Sequence, residues 1–506
     1  MLTKVKTATL MGVEGYPVTV ETDLHNGMPG LNIVGLADTT IRESYQRIKP
    51  AIMNCGYIFP RERVTVNLVP AGRPKEGSHF DLPIALGIMM LGQETERLSD
   101  TAFLGEVSLD GTINAVRGAL PLAICLRQAG ISNLVLPAEN AEEASVLEDM
   151  NILPVSTLME AAQYVIGMID IAPYEKKNTR RAVKREEDYS QVIGQESVKR
   201  ALTIGTAGNH GILMMGGPGC GKTMMAKRIP TILPELTYEE KLEITGIYSV
   251  AGLLSDSRPV IEDRPFRSPH HTITSIGLIG GGVKPRPGEM SLAHRGVLFL
   301  DELGEFDSRA IDAMRQPVEE GFVHIKRNIE DVIFPAQVML VIAANPCKCG
   351  NLWDDKKICT CTRQQLESHR RKLMGPFSDR VDMHIKVSPV SKDSLAAAKG
   401  AGICMSSREM REMVVKAREV QKRRYKGTGF QDNGSLDDSG IKRFCALKDS
   451  SKRMMNEAYD KMGLTMRGYK KILKIARTIA DMDESETIQD THIAEALMYR
   501  VNIEDI

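Results

Sequence analysis

Along the first 172 residues the apolar positions follow two spacings. In VTVET (18–22), RVTVNLV (63–69) and LVLPA (134–138) they fall in short strand-like runs, a period of two that puts alternate side chains on opposite faces. LPIALGIMML (82–91) and ALPLAICLRQAG (119–130) read as helical. The mixture predicts an α/β domain over 1–172. PYEKKNTRRAVKREED (173–188) is charged and nearly free of large apolar residues, the composition of a linker. From 189 to 390, strands, Gly-rich loops and helical stretches alternate in the manner of a parallel sheet. From 391 to 506 the pattern is helical, most clearly in AREVQKRRY (417–425) and YKKILKIARTIADM (469–482).

Composition narrows the reading. A chain of 506 residues is too long for one core. Lys plus Arg equals Asp plus Glu at 65 each, so contact with nucleic acid must come from local basic patches, not a global field. The longest apolar run, IALGIMML (84–91), falls far short of the roughly 18 residues of a membrane span, and the N-terminus lacks a signal-peptide core. No membrane association and a cytoplasmic location are expected.

ILMMGGPGCGKT (212–223) satisfies the phosphate-loop pattern with Gly216, Gly221, Lys222 and Thr223, after an apolar strand and before a helix. Gly216, Gly217, Pro218, Gly219, Cys220 and Gly221 form a loop whose backbone N–H groups turn inward on phosphates. Lys222 reaches the β and γ oxygens, and the Thr223 hydroxyl binds Mg²⁺. GVLFLDEL (296–303) is a buried strand ending in Asp301, placed for the Mg²⁺ shell, and Glu302, placed to orient an attacking water. QVMLVIAANP (337–346) ends a third strand in Asn345, either a γ-phosphate sensor or a strand cap. Arg380, in GPFSDRVDMHIKV (375–387), is placed to act as an arginine finger on a neighbouring subunit's nucleotide. Arg467, near the start of LTMRGYKKILKIARTIADM (464–482), is placed to contact phosphate from the helical region; a lone helix arginine is more often solvated or ion-paired.

In this order the motifs resemble those of AAA+ ATPases. QVIGQESVKRAL (191–202) looks like the entry motif of the magnesium chelatase-like branch, and PFRSPHHTITSIGLIGGGVKPRPGEMSLAHRG (265–296) like that branch's insertion. The chain is identified as a member of the YifB/ComM family of magnesium chelatase-like bacterial ATPases, over essentially its whole length. The resemblance implies an N-terminal Lon-like α/β domain (1–172), a linker (173–188), an AAA+ parallel-sheet core with insertion (189–390) and a C-terminal helical lid (391–506). It implies ATP and Mg²⁺ at the interfaces of a homo-oligomeric ring, expected to be a hexamer. It also implies helicase activity in branch migration during recombination or natural transformation.

RPKEGSHFDLPIAL (73–86) resembles the stretch around the catalytic serine of Lon-type proteases. In that comparison His79 stands at the nucleophile position, one residue from Ser78, and Leu120 at the lysine position. Leucine has no proton chemistry, so a Ser–Lys dyad is not expected, and the domain is read as a scaffold or collar.

Cys347, Cys349, Cys359 and Cys361 form a C-x-C-x9-C-x-C cluster. Four thiolates can enclose a structural Zn²⁺; an iron–sulfur cluster and reduced free thiols are the alternatives. Basic residues gather in the insertion, as Arg264, Arg267, Lys284 and Arg286, together with His270 and His271. EEGFVHIKRNIEDVIF (319–334) reads as a hairpin tipped by Lys326 and Arg327. These cations suit backbone phosphates of single-stranded or branched DNA, although solvated surface cations would look the same. A DNA-translocating motor is favoured. A chelatase-type motor remodelling a protein partner and an ATP-dependent protease are the competing readings.

Overall fold

The computed structural model describes residues 2–93, 95–176, 187–255, 257–326, 331–353, 357–373, 380–390 and 404–500. Most of the charged segment 173–188 therefore lies outside the described residues, as does Arg327. The chain is α/β, as its patterning predicts. Its N-terminal part is built on a seven-stranded sheet. β1 (Leu2–Met11) and β2 (Glu14–His25) pair antiparallel along the whole of β1 around a turn in which Gly12 takes φ +66°. With β3 (Gly30–Val34), β4 (Arg63–Val69), β5 (Thr101–Phe103), β6 (Asn133–Pro137) and β7 (Asn151–Val155) the spatial order is β3-β4-β2-β1-β5-β6-β7.

The period-two pattern sorts side chains between two cores. Val135, Leu153 and Val155 join one, and Leu134, Leu136 and Ile152 the other. The first is filled by α1 (Asp81–Met89), buried at every position through Ile88, which explains a helix apolar on all sides. The second is filled by α2 (Ala119–Gln128).

The central module carries a five-stranded parallel sheet: β8 (Ile212–Met215), β9 (Phe266–Arg267), β10 (Val297–Leu300), β13 (Met339–Ala344) and β14 (Met383–Lys386), ordered β9-β10-β13-β8-β14. Between β10 and β13 a hairpin of β11 (Phe322–Lys326) and β12 (Asp331–Pro335) stands apart from this sheet. Strands β8, β10 and β13 are buried at every residue, as expected for a sheet covered on both faces. Ile212, Met214, Val297 and Phe299 share a core with α3 (Glu196–Gly208), α4 (Lys222–Arg228) and the C-terminal helices. Leu213, Met215, Leu298 and Leu300 face Phe306, Ile311 and the hairpin.

The C-terminal part is helical, with α8 (Ser407–Arg424), α9 (Asp449–Lys461), α10 (Met466–Met482) and α11 (Asp490–Met498). Buried Asp481 binds Arg424 and Arg477 and accepts from Asn433 at 2.9 Å, tying α8 to α10. Among the described residues no helix is long and apolar enough to cross a membrane.

The N-terminal domain packs on the central module. α2 lies against α5 (Tyr238–Ala251), where Pro121 faces Gly246. Buried Glu143 accepts from the Leu120 N–H at 2.9 Å and from the Ser249 hydroxyl of α5. The Tyr238 hydroxyl donates to the Val146 carbonyl at 3.1 Å. At the β1–β2 turn, a Cβ on Gly12 would come 2.7 Å from Val332 of β12.

At the position compared with a protease nucleophile, His79 is buried, and its Nε2–H donates to the Ala8 carbonyl at 2.9 Å. Ser78 donates its hydroxyl to Glu106, and Leu120 is buried in the second core. Burial holds the His79 imidazole neutral and brings its pKa down to about 4. Because the unfolded value is higher, near 6.5, this ring contributes stability that is complete above about pH 6.5 and is lost as pH falls toward 4. We expect the wild type to lose about 2 kcal/mol more than His79→Gln between pH 7 and pH 5 in urea unfolding. Equal losses in the two proteins would contradict this assignment.

Candidate functional site

The C-terminal ends of β8, β10 and β13 bring the predicted nucleotide residues together. Met215 pairs with Ala344, and the Gly216 N–H donates to the Ala344 carbonyl at 3.2 Å, so the loop leaves the sheet beside Asn345. Gly216 admits no side chain, because a Cβ would lie 2.2 Å from the Val387 carbonyl oxygen. Gly219 and Gly221 take φ +79° and +85°, left-handed conformations that glycine adopts without steric cost. The loop then turns into α4.

Lys222 is buried, and its ammonium donates to the Gly216 carbonyl at 2.7 Å, the Gly217 carbonyl at 2.9 Å and Asn345 Oδ1 at 3.2 Å. Burial lowers its pKa. Thr223 Oγ1 donates to Asp301 Oδ2 at 2.7 Å, so a hydroxyl and a carboxylate stand together where a divalent cation would be held. Glu302 is exposed at the end of β10 with φ +53°, a strained conformation for a non-glycine residue at the position assigned to water orientation. A residue outside the sequence pattern joins the site: His369, on α7 (Arg363–Leu373), places Nε2 3.0 Å from the Asn345 carbonyl oxygen. No motif marks it, because the contact spans the whole cysteine loop.

That loop begins two residues after Asn345. The four sulfur atoms lie within 4.8 Å of one another, with Cys347–Cys349, Cys349–Cys359 and Cys347–Cys359 at 3.4, 3.5 and 3.7 Å. Tetrahedral thiolate coordination at about 2.3 Å from Zn²⁺ places sulfurs roughly 3.7 Å apart, so the donor set fits that ion. The Gly350 knuckle rests on the phosphate loop: a Cβ there would lie 2.6 Å from Pro218 Cδ.

The two predicted arginines are placed elsewhere. Arg380 and Arg467 line a cavity of about 620 Å³ between the central module and the C-terminal helices, and none of residues 216–223 lines it. Arg380 Nε donates to the Arg315 carbonyl at 3.2 Å and stands 3.1 Å from Glu319 Oε1. Arg467 pairs with the same carboxylate. Arg467, expected at phosphate from the lid, is thus grouped with Arg380 and not with its own chain's phosphate loop. Glu319 lies on α6 (Arg315–Glu320), just before the hairpin, and no sequence signal singled it out. Deeper in the cavity, burial brings the Lys471 pKa down to about 8 beside Asp382, 3.3 Å away.

The basic set divides. Arg264 is tied to Glu240 at 2.8 Å and to the carbonyls of Pro234 and Arg295, and Arg267 is tied to Glu289 at 2.6 and 2.7 Å. Both guanidinium groups, expected to meet DNA phosphates, are thus paired with carboxylates of this chain, and Arg264 also with carbonyls. Lys284 is exposed but lies 3.1 Å from Asp38 and 3.5 Å from Glu76 of the N-terminal domain. Arg286 and Lys326 are exposed. His270 and His271 stack on each other, with ring centroids 4.1 Å apart.

Three family models match the chain: "Magnesium chelatase, subunit ChlI" over residues 188–395, "Subunit ChlI of Mg-chelatase" over 20–140 and "Magnesium chelatase, subunit ChlI C-terminal" over 404–500. The chain is 39% identical to the competence protein ComM of Haemophilus influenzae, over 97% of its own length and 96% of that protein. It is 37% identical to the YifB protein of Escherichia coli, over 99% and 97%. Similarity to the magnesium-chelatase subunit ChlI of Guillardia theta is 28% identity over 31% of this chain and 51% of that one.

The contact between Gly350 and Pro218 yields a direct test. Gly350→Ala adds a methyl group 2.6 Å from Pro218 Cδ at a residue with φ +81°. We expect nucleotide affinity, measured by titration with a fluorescent ATP analogue, to fall about tenfold, corresponding to about 1.4 kcal/mol. Unaltered affinity would show that the knuckle does not set the loop's shape.

Proposed function

Because this chain belongs to the YifB/ComM family of magnesium chelatase-like proteins, whose AAA+ core is of the ATPase type, we propose that it is an ATP-hydrolysing ring motor that translocates on DNA. The observation that carries the ATPase reading is the convergence of Lys222, Asn345, Thr223 and Asp301 at one sheet edge, with Arg380 and Arg467 on a separate face. One subunit thus supplies the phosphate loop and the Mg²⁺ ligands. A second supplies arginines, and the smallest closed arrangement that uses every site is a ring. We take the ring to be a hexamer in the cytoplasm.

In this reading Lys222 binds the β and γ oxygens, Asn345 holds the lysine and the γ-phosphate in register, and Glu302 orients the attacking water. Thr223 and Asp301 would hold Mg²⁺, which when bound neutralises charge on the phosphates. Cys347, Cys349, Cys359 and Cys361 would hold a structural Zn²⁺ that fixes the loop between Asn345 and α7. Arg380 and Arg467 act on the neighbour's nucleotide. Arg286, Lys326 and Lys284, with Arg327, meet DNA phosphates without base readout. The similarity to a competence protein supports branch migration in recombination or natural transformation as the task. Proteolysis is not supported, since Leu120 replaces the dyad lysine and the His79 ring points into the core.

Steady-state ATPase activity with and without single-stranded and branched DNA, with Glu302→Gln as blank, tests the motor. We expect stimulation by DNA that weakens as salt rises. Hydrolysis indifferent to every DNA would instead favour remodelling of a protein partner. The division of labour between subunits is tested by mixing. Arg380→Ala and Lys222→Ala are each expected to be inactive alone and to recover partial turnover when combined. No recovery would place Arg380 outside the neighbour's site.

A further inference from the structure

Two arginines 87 positions apart in the chain share one carboxylate. Arg380 Nε stands 3.1 Å from Glu319 Oε1 and its Nη2 3.4 Å from Oε2, while Arg467 pairs with the same Oε1. Lys470, Lys471 and Lys474 line the same cavity, so five cationic side chains surround it. The lysines have partners of their own: Lys470 the Asp438 carboxylate, Lys471 Asp382 and the Val381 carbonyl, Lys474 the Gly434 carbonyl. Glu319 is the carboxylate that the two arginines have in common.

We propose that Glu319 is a positioning residue that stands in for phosphate. In the separate subunit its carboxylate holds the Arg380 and Arg467 guanidinium groups side by side, and it yields them to the triphosphate of a neighbouring subunit. The inference rests on the ring reading above. A carboxylate and a phosphate present acceptor oxygens to guanidinium in the same bidentate fashion, so one can replace the other without repositioning the arginines. The exchange is favourable on charge, because a triphosphate brings more negative charge to the guanidinium groups than the single carboxylate it displaces. It is also easy, because the Glu319 and Arg467 side chains are 41% and 47% exposed and pairs between exposed groups are weak in water, while the half-buried Arg380 keeps its bond to the Arg315 carbonyl. Glu319 therefore competes with assembly and sets the subunit concentration at which hydrolysis begins.

The test is ATPase activity per subunit as a function of subunit concentration, for the full-length wild type, Glu319→Gln, Glu319→Asp and Arg380→Ala, with thermal unfolding of each. Glu319→Gln is expected to lower the half-activating concentration about threefold to tenfold without moving the unfolding midpoint, because Glu319 is 41% exposed and the Gln amide oxygen can still accept from the half-buried Arg380. Glu319→Asp, which keeps the charge on a shorter arm, is expected to give a smaller shift in the same direction. An unchanged or raised half-activating concentration in both variants, with activity still lost in Arg380→Ala, would overturn the role of Glu319 alone. A raised value together with a lower unfolding midpoint would make Glu319 a structural residue, and also overturns it. Wild-type activity independent of subunit concentration and retained in Arg380→Ala would overturn the ring reading, and this role with it.

Discussion

The register of three buried parallel strands carries the nucleotide site. Met215 lies opposite Ala344 and Leu300 opposite Ile342, so the phosphate loop, Asp301 and Asn345 leave the sheet at the same edge. A slip of one residue would carry Asn345 away from Lys222 and would also exchange the two cores, since alternate side chains face opposite sides. Each buried Leu, Ile, Val or Phe contributes about 1.5–3 kcal/mol, against about 1 kcal/mol for a hydrogen bond. The apolar residues therefore fix the position of the polar ones. The same burial offsets the cost of holding Lys222 away from water and of keeping Glu302 at positive φ.

From that edge the site is braced on one side by the cysteine loop. Cys347 follows Asn345 by two residues, Gly350 touches Pro218, and α7 returns His369 to the Asn345 carbonyl. The segment thus contacts both the strand end that would sense a γ-phosphate and the loop that would hold one. A metal held by the four thiols, which cluster within 4.8 Å, would fix its shape far more tightly than a polar loop of this length would by itself.

What could be read in the sequence and what could not divides along contact range. The phosphate loop, the Asp301–Glu302 strand end and the Asn345 strand end were legible because each combines a short apolar run with a polar residue at its tip, and a parallel sheet gathers such tips at one edge. The cysteine cluster was legible from its close spacing. Arg467 was read as reaching phosphate from the lid, but its meeting with Arg380 through Glu319 was hidden, because that acid lies 148 positions away with nothing local to distinguish it from Glu320. The ion pairs of Arg264 and Arg267, read as phosphate contacts, were hidden for the same reason, since Glu240 and Glu289 are their partners only in space. The packing of α2 on α5 was hidden likewise: each helix shows its apolar character, but not which apolar surface it meets.

The N-terminal domain holds groups that no protease chemistry would need. Asp38 and Glu76 pair with Lys284 of the insertion, and the Gly12 turn meets Val332 of the hairpin, so the domain touches both segments that carry the exposed cations. The hairpin begins two residues after the end of the helix that carries Glu319, which continues the chain of contacts to Arg380 and Arg467. Contiguity by itself is not coupling, which requires an element with two arrangements that both ends can bias. Here the candidates are defined by charge. Lys284 and the two arginines each rest on carboxylates, Lys284 across to the N-terminal domain and the arginines on the helix before the hairpin. In a chain whose acidic and basic side chains are equal in number, local pairing and not a global field decides where positive charge is held, and at both places a carboxylate of the same chain holds it.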